Sequence, residues 1–533
     1  MSVADALDST NLPRGLLSSA SNLIPEPTTR NLWQSRPAAV EEYDFAGLSA
    51  PGVISVYKVI GTRVYGMIAS ALNVGQDEPF GYDLFTGMAV PISGITPVNT
   101  PITQPASGAW TPPTMSLCGT RLIVTHPGYT GGGGVKFGWF DISDPGAVTW
   151  AGGDTTPTNL AAVPTAVATF NDRAWYLVNP PTGQPAAYYS DVLAGTTITA
   201  GTQILTFDDN IPLTAAAGLG LKNQFGGIIQ SLMIFKGATN IYQVTGDAAL
   251  STNPLSKNAL NIATGTFSPR SIATTPKGLM FVSPEGVRLI DFSGMVSDPI
   301  GEAGQGITLP FIYSNVPSRV SASCNSRIYR VSVQNASVPG TPWQEWWYDI
   351  PRAMWSGPHT SHSRESDVYQ ATFVIAPTDH DAGLYISDTV QSTTSTFVEY
   401  GAQLTFTFQT TMMPDTLRMA QYNILEAWVK LAYSSGAGVI NAYAIDENAA
   451  VLSSCQLQAS GSATIWGSFI WGSAVWGGAP NALSPRQLNW PIPVVFQRVS
   501  FKLTGNSGNG LKIGDMMLRY EELGYMLPVG VAS

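Results

Sequence analysis

Residues that could do chemistry are few and scattered in this chain of 533 residues. Of its four histidines, His359 and His362 lie three positions apart beside Pro358, with no third ligand nearby in the sequence. Because a zinc site takes three or four protein ligands, we favour a loop here over a metal site. The run Asp379-His380-Asp381 could contact a cation, but it is more typical of a hairpin tip. We therefore predict no metal-binding residues.

No sequence pattern indicates catalysis or a cofactor. Gly218-Leu219-Gly220 lacks the spacing of a dinucleotide-binding loop, and neither a Walker-type Gly-Lys-Ser/Thr nor a GxSxG element occurs. The stretch from Ser143 to Trp150 approximates the S-x-D-x-G-x-T-W box of sialidase-type propellers. Its serine is one place too near the aspartate and the box occurs once, so a type I turn is the favoured interpretation. We predict no catalytic residues, no cofactor and no enzymatic activity.

A short sequence motif, here called the repeat phrase, recurs along the chain and marks the strands that must position any functional residues. A polar turn followed by an alternating apolar run has its arginine, or the residue in that place, at positions 63, 121, 173, 230, 277 and 327. The steps of 47 to 58 residues match the period of propeller blades, whose units bury their apolar faces only by stacking. With Phe373-Val374-Ile375 as a last copy, the sequence predicts seven blades, or six if an end unit merges with its neighbour.

A second phrase trails the first and ends in aspartate, at Asp83, Asp141, Asp291 and Asp349. A carboxylate at the end of a strand accepts hydrogen bonds from the backbone of its own turn. We therefore expect each of these residues to close a strand. The arginines that begin strands are expected to pair with turn carbonyls and carboxylates.

Composition indicates an all-β protein with much of its surface covered. Gly (53) and Pro (38) are abundant, and charged residues are only 12%, about half the usual level. The net charge of −10, without Lys/Arg clusters, argues against a surface that grips nucleic acid phosphates. Cys118, Cys324 and Cys455 are widely spaced and odd in number, so we expect reduced thiols. Neither a secretory signal nor a bilayer-length apolar stretch is evident in the sequence.

Three regions follow from these patterns: an N-terminal extended arm (1–45), a β-propeller (46–400) and a C-terminal β-sandwich or platform domain (401–533). The arm is expected to pack on a neighbour or to pair with the last blade and close the ring, with a disordered tail as the alternative. Clean alternation such as Leu404-Thr405-Phe406-Thr407-Phe408 predicts the sandwich strands.

Two groups of tryptophans are candidate interface residues. Trp343, Trp346 and Trp347, with Trp355 nearby, could stack on carbohydrate, but packing between blades or subunits is the favoured role. Trp466, Trp471 and Trp476 recur every five residues, each followed by glycine. Exposed, they would form an adhesive apolar patch, so we expect burial against a neighbouring subunit or domain.

The chain resembles the tail hub or nozzle proteins of short-tailed bacteriophages, also called packaged-DNA stabilisation proteins. The resemblance lies in the phrase from Pro284 to Asp291, in Trp490, and in the sandwich strands from Phe496 to Gly505 and Ile513 to Tyr520, in order and spacing. It implies a structural virion protein, assembled in the host cytoplasm, that forms a homohexameric ring in the tail below the portal and its adaptor ring.

Such a ring would extend the DNA channel, close it until genome ejection, and dock tail fibres or spikes. Genomic DNA would pass through the acidic lumen without specific binding, because like charge repels its backbone. The alternative interpretation is a glycan- or receptor-binding propeller of the tail, in which Trp343, Trp346 and Trp347 stack on sugars.

Overall fold

A computed structural model describes most of the chain. The residues described are 17–29, 32–45, 53–70, 75–95, 102–103, 111–129, 135–151, 159–199, 201–207, 209–222, 226–248, 254–260, 262–300, 316–334, 343–378, 383–392, 395–414, 420–433, 437–460, 483–506 and 510–525. These residues form β-strands, with short 3-10 helices at Pro269–Ser271 and Pro317–Arg319. None of the described helices is long and apolar enough to cross a bilayer.

Four short strands open the described chain, and each belongs to a sheet that also contains strands from much later in the chain. They are β1 (Leu17–Ser21), β2 (Leu23–Pro25), β3 (Trp33–Ser35) and β4 (Val40–Asp44).

Seven groups of paired strands follow, one per repeat, and form the blades of a β-propeller. Their strands are antiparallel except for one parallel pair in blade 2. Blade 1 contains β5 (Ile54–Ile60), β6 (Arg63–Ala69), β7 (Gln76–Asp83), β8 (Met88–Ala89) and β10 (Ile102–Thr103), and blade 2 contains β9 (Ile92–Ser93), β11 (Thr114–Cys118), β12 (Arg121–Thr125), β13 (Gly138–Asp141) and β14 (Val148–Ala151). Blade 3 contains β15 (Pro164–Phe170), β16 (Arg173–Val178), β17 (Ala186–Tyr189) and β18 (Ile204–Thr206), and blade 4 contains β19 (Ala215–Lys222), β20 (Ile228–Lys236), β21 (Asn240–Thr245) and β22 (Ser256–Ala259).

Blades 5 to 7 complete the ring. Blade 5 contains β23 (Ala273–Thr275), β24 (Gly278–Ser283) and β25 (Gly286–Asp291); blade 6 contains β26 (Val320–Cys324), β27 (Ile328–Gln334), β28 (Trp343–Asp349) and β29 (Met354–His359); blade 7 contains β30 (Ser363–Tyr369), β31 (Thr372–Pro377) and β32 (Gly383–Ser387). The fourth strand of blade 7 is β4 from the N-terminal region, antiparallel to β32. Of the two arrangements expected for the arm, the structure shows the one that closes the ring.

The repeat phrase marks the turn between the first and second strands of a blade. Gly61 and Gly119 have positive φ there, which explains glycine at these turns. In blade 4 the prediction was misplaced, because Gln230 lies inside β20. The second strands are also less alternating than predicted: all six residues of β16 are buried, because each blade is covered on both faces by its neighbours.

The predicted strand-ending aspartates do hold their turns. Asp83 Oδ1 accepts from the N–H groups of Phe85 (2.9 Å) and Thr86 (3.2 Å), and Asp291 Oδ1 accepts from Ser293 N–H (2.8 Å). The expected arginine pairing also occurs, since Arg63 Nε contacts Asp83 Oδ2 at 3.1 Å. These local bonds explain why the phrase recurs.

The C-terminal strands form a β-sandwich together with the first three strands of the chain. The C-terminal strands of the sandwich are β35 (Thr405–Thr410), β36 (Ala420–Ala432), β37 (Ala437–Ile445), β38 (Val451–Ser460), β39 (Ser484–Gln487), β40 (Val495–Phe496), β41 (Ser500–Asn506) and β42 (Lys512–Tyr525). Before them, β33 (Val398–Glu399) and β34 (Ala402–Gln403) form a separate two-stranded sheet. One sheet has the order β2-β3-β42-β36-β39, with β40 also on β36.

The other sandwich sheet is continuous with blade 6. Its nine strands run in the order β26-β27-β28-β29-β1-β35-β41-β37-β38. Within it, β1 is the junction, because Ala20 is paired with Gly357 of blade 6 on one side and with Phe408 of the sandwich on the other. One apolar core includes residues from β1, blade 6 and both sandwich sheets. The propeller and the sandwich are therefore joined by backbone hydrogen bonds and by a shared core.

Candidate functional site

The centre of the propeller is a cavity of about 490 Å³. The first strands of the seven blades line it, namely β5, β11, β15, β19, β23, β26 and β30, together with the 3-10 turn before β23. Most lining residues are small or apolar, and the charged side chains among them are Lys58, Arg270, Glu365 and Asp367. The polar chemistry of the cavity is thus concentrated where blades 1, 5 and 7 meet.

Two ion pairs occupy this sector of the cavity. Arg270 Nε lies 2.8 Å from Glu365 Oε2, and Lys58 Nζ lies 3.1 Å from Asp367 Oδ2. Asp367 Oδ2 also accepts from Val59 N–H at 2.8 Å, which ties blade 7 to blade 1. Burial raises the pKa of Glu365 to about 7 despite the favourable charge of Arg270. Glu365 therefore changes protonation near neutral pH, a property that marks candidate functional groups.

The volume of the cavity limits what it can hold. Small-molecule sites commonly measure about 300–1,000 Å³, so a compact polar molecule fits. A DNA duplex, whose major groove alone is about 12 Å wide, does not. A DNA conduit in an assembly of this protein would have to lie between copies of the chain.

A Ser–Asp–His group lies between blades 1 and 2, and sequence reasoning missed it. His126 Nε2 contacts Asp77 Oδ2 at 2.8 Å, and Ser55 Oγ donates to the same oxygen. His126 Nδ1 accepts from Gly128 N–H at 2.9 Å, so both ring nitrogens are used and neither faces the serine. Because the carboxylate, and not the imidazole, is central, the group lacks the order of a nucleophilic triad. The hydrogen bond between His126 of blade 2 and Asp77 of blade 1 holds the two blades together.

Of the two histidines predicted in a loop, the partly buried His362 does lie in the connection between β29 and β30, whereas His359 lies in the interior. His359 ends β29, is 2% exposed, and its Nδ1 accepts from Asn22 N–H at 3.1 Å. Burial, with Arg36 and Arg330 nearby, holds its pKa well below the usual value. Among the described residues, no cluster of three or more His, Cys, Asp or Glu could hold a metal ion. The run Asp379-His380-Asp381 lies outside the described residues.

A buried polar network joins the N-terminal strands to blades 6 and 7. Arg36 donates from both terminal nitrogens to Glu399, at 2.8 and 2.7 Å, and Arg330 Nη2 lies 2.8 Å from Glu345 Oε1. Trp347 separates the two pairs, with the Arg36 and Arg330 guanidinium carbons 5.9 and 5.5 Å from its ring centroid. Such stacking is favourable when the cation is desolvated. Sequence alone gave no sign of it, because nothing local marks an arginine as buried.

The first group of candidate tryptophans packs within its own chain, which corresponds to the favoured packing role between blades and not to an exposed interface. Trp343, Trp346 and Trp347 are 8%, 4% and 1% exposed, and Trp347 Nε1 donates to Glu345 Oε1 at 2.7 Å. They pack inside the chain, since blade 6 is covered on both faces, and they present no platform for a sugar or a subunit. Trp466, Trp471 and Trp476 lie outside the described residues, so that part of the prediction stays open.

The near copy of the sialidase-type box is a turn, as expected. Asp144 Oδ1 accepts from Gly146 N–H at 2.8 Å, and Ala147 N–H donates to the Asp144 carbonyl at 3.0 Å. Thr149 and Trp150 lie on β14. Cys118, Cys324 and Cys455 are free thiols.

Open sheet edges and exposed apolar side chains mark the outside of the sandwich. On its outer side, β38 has no strand neighbour among the described residues, and the pairs of β42 with β3 end at Ile513. Met517, Tyr520 and Leu523 on β42 are each about half exposed. An exposed sheet edge can pair with another chain, so this end of the molecule is the candidate interaction surface.

Together these features define a seven-bladed β-propeller fused to a β-sandwich. No family model and no curated protein matches the chain. Solved structures that resemble it include puromycin hydrolase (TM-score 0.40, 11% identity, 70% of this chain and 61% of that chain) and the periplasmic gluconolactonase PpgL of Pseudomonas aeruginosa (0.35, 12%, 64% and 96%). AofleA from Arthrobotrys oligospora is a third (0.30, 9%, 70% and 98%). The chain thus spans about 61% of the puromycin hydrolase chain.

The prediction that the chain is not an enzyme is corrected by these comparisons. Hydrolases are among the matching structures, including a GH43 glycoside hydrolase aligned over 94% of this chain with a TM-score of 0.26. A propeller fold therefore does not exclude catalysis. At these low identities and TM-scores the matches assign no reaction or substrate to this chain.

Proposed function

We propose that the chain is a subunit of the tail nozzle, or hub, of a short-tailed bacteriophage. Six copies form a ring below the portal and its adaptor ring, extend the DNA channel, keep it closed until ejection, and dock fibres or spikes. The order of a propeller followed by a sandwich supports this proposal. The sequence resemblance of the late repeat and the sandwich strands to those of tail nozzle proteins supports it as well.

The observation that carries the proposal is the continuous sheet from blade 6 through β1 to the sandwich. A conduit wall must keep its shape under the pressure of the packaged genome, and a sheet shared by two domains resists hinge motion better than a flexible linker. The low charge content suits a subunit covered by neighbours. The net charge of −10 suits a lumen that does not retain DNA.

The test is the mass and symmetry of the protein alone and with tail material, by native mass spectrometry and electron microscopy. Closed six-fold rings at the tail tip, with propellers around a central bore, are the expected result. A stable monomer absent from tails, or a trimer projecting sideways from them, contradicts the proposal.

A second candidate function is acid–base chemistry on a small substrate in the propeller cavity. The specific observation is a carboxyl, Glu365, with a pKa of about 7 beside Arg270. The test is hydrolysis of a panel of chromogenic esters and glycosides by the wild-type protein. Activity that is lost in Glu365→Gln and retained in the control Glu41→Gln, at the exposed edge of blade 7, would support this function. Equal rates in wild type and Glu365→Gln would contradict it.

A further inference from the structure

Edge strand β38 is unusual in having no protection against pairing with another chain. Its ten residues, Val451–Ser460, pair with β37 on one side and with no described strand on the other. Ten residues extend about 33 Å. The strand contains no charged residue and no proline, although natural edge strands use charge, proline or shortness to prevent association.

Other sheet edges in the same molecule do carry these protections. At the edge of blade 7, β4 contains Glu41, Glu42 and Asp44. The edge strand β39 of the second sandwich sheet contains Pro485 and Arg486, and β18 at the edge of blade 3 has only three residues. The outer edge of β38 thus lacks the protection that these other edges have. We take this as an indication that a partner strand pairs with it.

A second open edge lies on the other sandwich sheet, along β42. After Ile513 this strand has β36 on one side and no described strand on the other. Two of its charged side chains pair with β36: Asp515 lies 3.2 Å from Lys430, and Arg519 lies 3.8 Å from Glu426. Glu521 accepts from Asn423 Nδ2 at 3.1 Å, and Glu522 is exposed beside it. The half-exposed side chains of Met517 and Leu523 remain available for an apolar contact, whereas Tyr520 already packs on Tyr422 and Phe496.

We propose that the outer edge of β38 pairs with the outer edge of β42, from Gly514 onward, in a second copy of this chain. The two open strand edges are of similar length, and pairing them with each other covers the β38 edge of one copy and the β42 edge of the next. Joining two different edges makes the contact heterologous, so repeated copies form a ring when the rotation closes. The closure into six rests on the proposed function, whereas the contact itself does not.

Self-pairing of β38 is the competing arrangement, and it would leave β42 uncovered. A mixing experiment separates the two. The first variant, Gln456→Lys with Gln458→Lys, places charge on β38 at exposed positions. The second variant, Met517→Lys with Leu523→Lys, does the same on β42 at exposed positions. A matched control, Gln184→Lys, adds charge to an exposed loop of blade 3.

Native mass spectrometry of the full chains gives the readout. We expect wild type and control to form the same oligomers, each edge variant to be monomeric, and the mixture of the two edge variants to give a dimer of one chain of each. That dimer forms because the first variant keeps an intact β42 edge and the second keeps an intact β38 edge. Unchanged thermal unfolding of the variants confirms that they fold.

Several results would overturn the inference. If only the β38 variant is monomeric, β38 pairs with itself; if neither variant differs from wild type, the edges are not the contact. A wild-type monomer at its highest soluble concentration also overturns it. Failure of the tail role would appear separately, as edge-dependent oligomers that are absent from tails.

Discussion

At the residue scale, Glu365 in the propeller cavity makes the stability of the protein depend on pH. Its folded pKa of about 7 lies above the ordinary glutamate value because of burial. The folded protein therefore binds more protons than the unfolded chain between about pH 4.5 and 7, and this carboxyl makes stability fall as pH rises through that window. We expect Glu365→Gln to remove this part of the pH dependence. Thermal unfolding of both proteins from pH 4.5 to 8 measures it, and parallel curves would contradict the assignment.

The buried pair of Arg36 and Glu399 gives a second prediction at this scale. Glu399→Ala leaves a fully buried guanidinium without its bidentate partner, and we expect a loss of about 3–5 kcal/mol in unfolding free energy. Asp515→Ala is the matched control, because it removes an ion pair whose two side chains are both exposed, with an expected effect of about 0–1 kcal/mol. Urea unfolding measures both. Equal losses in unfolding free energy would show that the buried ion pair contributes no more to stability than the exposed one.

At the element scale, β1 is the strand that joins blade 6 to the sandwich. Ala20→Pro removes a backbone donor from the middle of a nine-stranded sheet, where Ala20 is fully buried, and proline is rarely tolerated in such a strand. We expect much lower expression and thermal stability than for Ala20→Ser, which keeps the N–H group. Similar melting temperatures for the two variants would show that β1 does not couple the sheets.

What the sequence predicted at this scale was local. The turns at Gly61, Gly119 and Asn325, and the aspartates after the third strands, depend on neighbours within a few residues, so blade count and strand order could be read from them. Strands β1, β3 and β4 each pair with a strand more than 300 positions away, and short strands without a strong pattern do not specify such distant partners. The sequence could not place Trp343, Trp346 and Trp347 for a related reason. Residue type shows that a tryptophan is buried somewhere, but not whether its own chain or another covers it.

At the scale of the whole molecule, the propeller and the sandwich behave as one structural unit. Their shared core includes Leu17 of β1, Val331 and Trp346 of blade 6, and Phe406 and Val429 of the sandwich. We therefore expect a single calorimetric unfolding transition, since loss of either part exposes this shared core. Two well-separated transitions would contradict this expectation and would weaken the case for a rigid wall subunit.

The placement of the first strands also sets the order in which the molecule can be completed. Trp33 is paired with Ile513, so β3 emerges from the ribosome long before its partner strand exists. At roughly 5–20 residues per second, the interval is on the order of half a minute to a minute and a half. During that time the early strands have no sheet to join, and their unpaired edges are exposed to other nascent chains. Both domains can therefore close only after residues 512–525 have been synthesised, and chaperone protection of the N-terminal segment during synthesis would raise the yield of correctly closed subunits.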